Sequence, residues 1–125
     1  MNNQKTILVA GGIFGFLGVA FGAFGAHGLR NILSPEFLEV FRTGVLYQLI
    51  HSVVILSIGL SAKKEFYIAG IFMAIGIILF SFSLYAYSLT GEKFIAMITP
   101  VGGVSFLVGW MLIIIAGVKS IKKST

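Results

Sequence analysis

His27 and His51 are the only two histidines in the chain, and cysteine is absent. Losing cysteine removes disulfides, thiolate ligands and cysteine nucleophiles, and leaves the redox compartment open. The histidines could form a haem or metal pair only if they met. Their expected depths differ by about 10 Å, and no further His, Cys or Asp is at hand to complete a site. No metal and no cofactor is therefore expected. The four acids, Glu36, Glu39, Glu65 and Glu92, fall in loops or at helix ends. That leaves no Ser-His-acid set and no paired-carboxylate site, and no nucleotide-binding loop is present. The chemistry that remains is hydrogen bonding. His51 follows Tyr47 and Gln48 by one helical turn, and a histidine inside a membrane is costly unless paired. It is the leading candidate for a site. The plainer alternative is a neutral imidazole that stabilises packing, held by Gln48, a tyrosine or a freed carbonyl. The expected neighbours are Thr99 and the loosened backbone around Pro100.

The elements that must position these residues are membrane helices. The chain has 125 residues, of which 58% are hydrophobic and 10% charged, and its mean hydropathy is +1.04. Apolar runs at about 6–27, 44–62, 66–88 and 96–118 each clear the spanning threshold of about 18 residues. Lys5 before the first run resembles the start of a signal peptide, but the run is long enough to be a retained helix. Gly11, Gly15, Gly18, Gly22 and Gly25 fall within a strip roughly 80° wide on that first helix. Such a groove lets neighbouring backbones approach closely in lipid. The later helices repeat the device with Gly44, Gln48, His51, Gly59 and Ala62, then Gly70, Ala74, Ser81 and Ser88, then Gly102, Ser105, Gly109 and Ala116. The short connections predict four antiparallel transmembrane helices in an up-down bundle, a single all-α membrane domain over 1–125.

The loop at 28–43 carries its own signal. Ser34, Pro35 and Glu36 read as N-cap, first helical residue and first-turn acid. They predict a short interfacial helix over about 35–43, or else the protruding first turns of the second membrane helix, with Gly44 as a bend between the two. Lys5, Lys63, Lys64, Lys119, Lys122 and Lys123 lie on the side of the termini, against Arg30, Arg42 and Lys93 opposite. The positive-inside rule then puts both termini in the cytoplasm. The net charge of +5 suits anionic headgroups and membrane lipids, and no nucleic acid partner is expected.

In an antiparallel order the polar residues collect at the outer end. His27, Arg30, Arg42, Tyr47, Gln48, His51, Ser81, Ser83, Tyr85, Tyr87, Thr90, Thr99 and Pro100 all fall on that half. His27 is expected to cap helix one, Tyr85 and Tyr87 to form an interfacial aromatic belt, and Trp110 to pack with its N–H bonded locally. Pro100 before Gly102 and Gly103 reads either as a broken helix start lining a site or as an ordinary helix N-terminus.

Taken in order, Gly22 to Leu29 (GAFGAHGL), Phe41 to Thr43, Tyr47, Gln48 and His51, Ser83 to Tyr85 before Thr90 and Gly91, Ile98 to Gly103, and Gly109 with Trp110 resemble the YgdD/YwdK-like family of small bacterial membrane proteins, a domain of unknown function. The resemblance covers nearly the whole chain. It implies a four-helix, multi-pass protein of the bacterial inner (cytoplasmic) membrane, and brings no activity with it. The reading that results is a non-enzymatic structural or interaction component that packs through glycine-rich faces, as a homo-oligomer or with another membrane protein. The alternatives are an oligomeric transporter or channel component with a polar site at His51, and a small redox or lipid-modifying enzyme using that histidine.

Overall fold

The computed structural model describes residues 2–124. Four helices are long and apolar enough to cross a membrane: Asn3–His27, Pro35–Ser61, Lys64–Thr90 and Lys93–Lys123, called here helices one to four. No strand occurs among the described residues. Local chemistry sets most of the ends. The Asn2 side chain accepts a hydrogen bond from Lys5 N at 2.8 Å, and Ser34 Oγ accepts one from Phe37 N at 3.2 Å, each satisfying a free donor of the first turn. Helix two stops where Ala62 turns left-handed (φ 57°), and helix three where Gly91 does the same (φ 71°).

Helix two runs unbroken from Pro35 to Ser61, so residues 35–43 are its first turns and not a separate interfacial helix. Leu38, Phe41 and Val45 lie on one face and pack with Leu29 and Tyr85 in a buried cluster, which favours continuing the helix over bending it. Gly44 accordingly does not interrupt the helix. A Cβ there would lie 2.7 Å from Tyr85 Cε1 and 3.1 Å from the Ser81 carbonyl oxygen, so glycine is what lets helix three come close.

Helix three is not one regular coil. A 3-10 turn at Lys64–Phe66 leads into α-helix over Tyr67–Gly76, a π-helical stretch over Ile77–Ser81 and α-helix again over Phe82–Thr90. Helix four opens with a single turn, Lys93–Ala96, and restarts at Thr99. Pro100 is thus the second residue of the restarted helix, an ordinary N-terminal position where its missing N–H costs nothing.

The glycine stripe of helix one meets helix two. Added Cβ atoms at Gly11, Gly18 and Gly25 would lie 2.8 Å from Leu56 N, 2.7 Å from Leu49 Cδ2 and 2.8 Å from Phe41 Cδ1. Gly22 is looser, at 3.3 Å from Val45 Cγ1, and Gly15 is looser still, at 3.9 Å from Ser52 Cβ. Helices three and four pack by the same means. Gly102 lies on the backbone of Leu79 and Phe80 within the π-helical stretch and Gly76 against the Phe106 ring, and a Cβ added at Gly109 would stand 3.1 Å from Met73 Sδ. Ile55, Met73 and Ile77 form the fully buried centre with Phe106 beside them. The outside is as apolar as the inside: Phe16, Val53, Leu107 and Ile114 are all exposed, while Gln48, His51, Ser52 and Ser81 are buried. Polar side chains inward and apolar ones outward is the arrangement that hydrocarbon surroundings demand.

Candidate functional site

Gln48 is completely buried on helix two, and it reaches both neighbours. Its Nε2 donates to the Phe14 carbonyl of helix one at 2.8 Å, and its Oε1 accepts from Tyr85 Oη of helix three at 2.6 Å. Gly18 makes this reach feasible, because Gln48 Cγ lies only 3.5 Å from where a Cβ would stand. Ser52 Oγ, one turn on, donates to the Gln48 carbonyl. Tyr85 is wrapped by the rings of Phe41, at 4.8 Å between centroids, and Phe21, at 5.1 Å. It is therefore a core residue and not part of an interfacial belt. Its hydroxyl found a partner in the interior, where a buried phenol must have one. Tyr87 is half-buried and meets Phe37 edge-on at 5.4 Å.

His51 lies one turn from Gln48 but faces helix four. Its ring stacks on Phe106 with centroids 3.7 Å apart and planes at 14°, and Tyr47 covers it at 5.9 Å. Nδ1 is 2.7 Å from the Tyr47 carbonyl, and Trp110 Nε1 lies 3.1 Å from His51 Nε2. An indole N–H can only donate and a carbonyl can only accept. Nε2 must then be the bare nitrogen and Nδ1 must carry the proton, so both ring nitrogens of a neutral imidazole are used.

This corrects two expectations. His51 does not meet Thr99 or Pro100, and the Trp110 N–H bonds to another helix, not locally. The reason is register. The close approach of Gly102 to Phe80 and of Phe106 to Gly76 brings Phe106 and Trp110, further along helix four, to the histidine's level. Thr99 instead pairs with Ser83, their hydroxyls 2.6 Å apart, and Ser83 Oγ also donates to the Phe80 carbonyl at 2.9 Å.

The remaining polar residues are not drawn in. His27, at the end of helix one, is exposed, as are Arg30, Arg42 and Pro100. The bond that closes helix one is made by Gly28 N to the Phe24 carbonyl, not by the histidine. The expected polar end thus divides into three small networks: Gln48–Tyr85–Phe14, His51–Trp110–Tyr47 and Ser83–Thr99. Sequence reasoning missed Phe14, whose part is played by its backbone, and missed Trp110 as a partner, because no spacing rule links residues 51 and 110. It also missed the π-helical stretch. There Ser81 Oγ is buried without a hydrogen-bond partner among the described residues.

Comparison with known proteins matches residues 21–103 to the family model described as "Protein of unknown function (DUF423)". That segment holds Tyr47, Gln48, His51, Ser83, Tyr85 and Thr99 of the three networks, while Phe14 and Trp110 lie outside it. The UPF0382 membrane protein YwdK of Bacillus subtilis is 40% identical over 121 residues, covering 93% of this chain and 98% of that protein. A UPF0382 membrane protein of Haemophilus influenzae is 42% identical, covering 96% and 98%. The UPF0382 inner membrane protein YgdD of Escherichia coli is 38% identical, covering 96% and 95%. No solved structure matches significantly. Four spanning helices, an inward-turned polar set and relatives that align end to end agree: the chain is a membrane protein of the DUF423 family.

Proposed function

We propose that this protein is a non-enzymatic structural or interaction component of the bacterial inner membrane, an up-down bundle of four antiparallel helices with both termini in the cytoplasm. The antiparallel reading is supported by the pairing of Leu8 with Gly59, Gly11 with Leu56, Gly18 with Leu49 and Gly25 with Phe41. Residue numbers rise on one helix as they fall on the other. The observation that carries the functional reading is the full engagement of the two largest buried polar side chains. Gln48 and His51, the two residues best suited to handle a substrate, have their side-chain groups committed to neighbouring helices and backbone. Groups so engaged lock helices together and have little left to offer a ligand.

Interaction falls to the outer face of helix one. This helix is the least covered of the four, with 17% of its spanning window buried against 39% for helices two and three. A shallow trough of about 360 Å³ runs beside Gly12, Gly15, Phe16 and Val19, floored by Leu49 and Val53 of helix two. A Cβ at Gly12 would meet nothing within 4 Å, so another helix can approach there as closely as helix two approaches Gly11. Because the chain has no cysteine, single-cysteine variants test this cleanly. Gly12→Cys and Val19→Cys are expected to crosslink in native membranes to a second copy or to another membrane protein, and the product mass tells which. Ile114→Cys, on exposed helix four, is the comparison. No adduct at either trough position, or equal yield at Ile114, would defeat the reading.

A transport or channel role is the alternative, and one observation favours it: the unpartnered Ser81 hydroxyl inside a π-helical stretch, an irregularity frequent at functional sites. A co-purifying small molecule whose loss follows Ser81→Ala would shift the balance toward it.

A further inference from the structure

A cleft of about 220 Å³ opens between the start of helix three and the last turns of helix four. Its mouth carries Lys119, Ser120 and Lys123, its wall Glu65, and its floor Ile68, Leu112 and Ile115. Lys119 and Lys123 are four residues apart on one helix, so their ammonium groups share a face. The Ser120 hydroxyl faces Glu65 Oε1 at 3.4 Å, tying the carboxylate to the wall beneath the lysines. Two ammonium groups against one carboxylate leave a single positive charge. The polarity is graded along the helix. From Lys123 back to Leu112 is about 16 Å at 1.5 Å per residue, and over that length the lining passes from charged to wholly aliphatic. The floor is open, with Ile68 53% and Ile115 42% exposed.

We propose that this cleft binds an anionic glycerophospholipid, its phosphodiester between Lys119 and Lys123 and an acyl chain along Ile68, Leu112 and Ile115. The charge matches a phosphodiester monoanion, and the depth of the lysines matches the headgroup layer, where basic residues recognise such lipids. A free phosphate would use the same lysines but would gain nothing from the aliphatic floor. The inference rests only on the helices lying in a membrane. It is independent of the sidedness and interaction readings above.

The test uses the full chain in phosphatidylcholine nanodiscs doped with phosphatidylglycerol, with bound lipid counted by native mass spectrometry. Each lysine at a membrane surface is worth a factor of about five in binding, so Lys119→Gln with Lys123→Gln is expected to weaken phosphatidylglycerol retention about tenfold or more. Lys5→Gln with Lys63→Gln removes the same charge at the same end and is expected to leave it nearly unchanged. Equal losses in the two double variants would reduce the effect to general attraction and overturn the site. Retention of phosphatidylcholine as strong as that of phosphatidylglycerol would overturn the headgroup assignment. Displacement by inorganic phosphate, beyond that by sodium chloride of equal ionic strength, would replace the lipid with a phosphate ion. Melting temperatures of both variants near that of the parent protein exclude misfolding as the cause.

Discussion

At the scale of single residues, His51 and Trp110 are one unit. The indole N–H has the imidazole Nε2 as its acceptor, and the imidazole has no other partner on that nitrogen among the described residues. Removing Trp110 leaves a nitrogen of buried His51 unsatisfied, and removing His51 leaves the half-exposed indole N–H without its acceptor among apolar neighbours, at a cost of about 1–3 kcal/mol. His51→Ala and Trp110→Phe should therefore be strongly non-additive, with a coupling of roughly 0.5–3 kcal/mol in a double-mutant cycle read by unfolding in detergent. Additive losses would mean that the pair does not form. The sequence pointed to His51 and Gln48 correctly as buried polar residues, because a polar side chain on an otherwise apolar helix face has few alternatives. It could not name their partners. Thr99 was the nearest by assumed register, while Trp110 and the Phe14 carbonyl are met only once helix-to-helix registers are fixed by packing.

At the scale of helices, close approach depends on which glycine is changed. A Cβ at Gly11 would press on the Leu56 backbone, which cannot move aside as the Leu49 side chain opposite Gly18 can. Gly11→Ala is expected to destabilise by about 1–3 kcal/mol, as overpacking does. Gly12→Ala meets open space and gains helix propensity of up to about 1 kcal/mol, so it should be neutral or stabilising. Unfolding midpoints of the two variants that did not differ would remove the packing role from the stripe. The stripe itself was legible, since steps of four and three align residues on one helical face. Two features were not. Gly44 looks the same in sequence whether it bends a helix or admits a neighbour, and only the contact with Tyr85 decides. The π-helical stretch at Ile77–Ser81 has no local signature: its residues are ordinary helix formers, and the insertion accompanies the approach of Gly102.

At the scale of the whole molecule, the four spans were plain from apolar length alone, because in lipid a helix needs no partner to satisfy its backbone. Sidedness follows a different rule, the lysine and arginine count. Reporter fusions after Thr125 and within residues 31–34 are expected to report opposite sides of the membrane, the first in the cytoplasm. An external C-terminus would reverse the orientation while leaving the helix packing intact. Ser81 Oγ apart, the buried polar side chains bond to one another and to backbone, and His51 clamps helix two to helix four. The most direct test is nitrogen NMR on the histidine-labelled protein in lipid, where exposed His27 serves as an internal reference for a solvated ring. One neutral His51 tautomer is expected, with the proton on Nδ1 and Nε2 bare and accepting from Trp110. An imidazolium, or a ring protonated on Nε2, would contradict it, because neither can accept the indole N–H on Nε2.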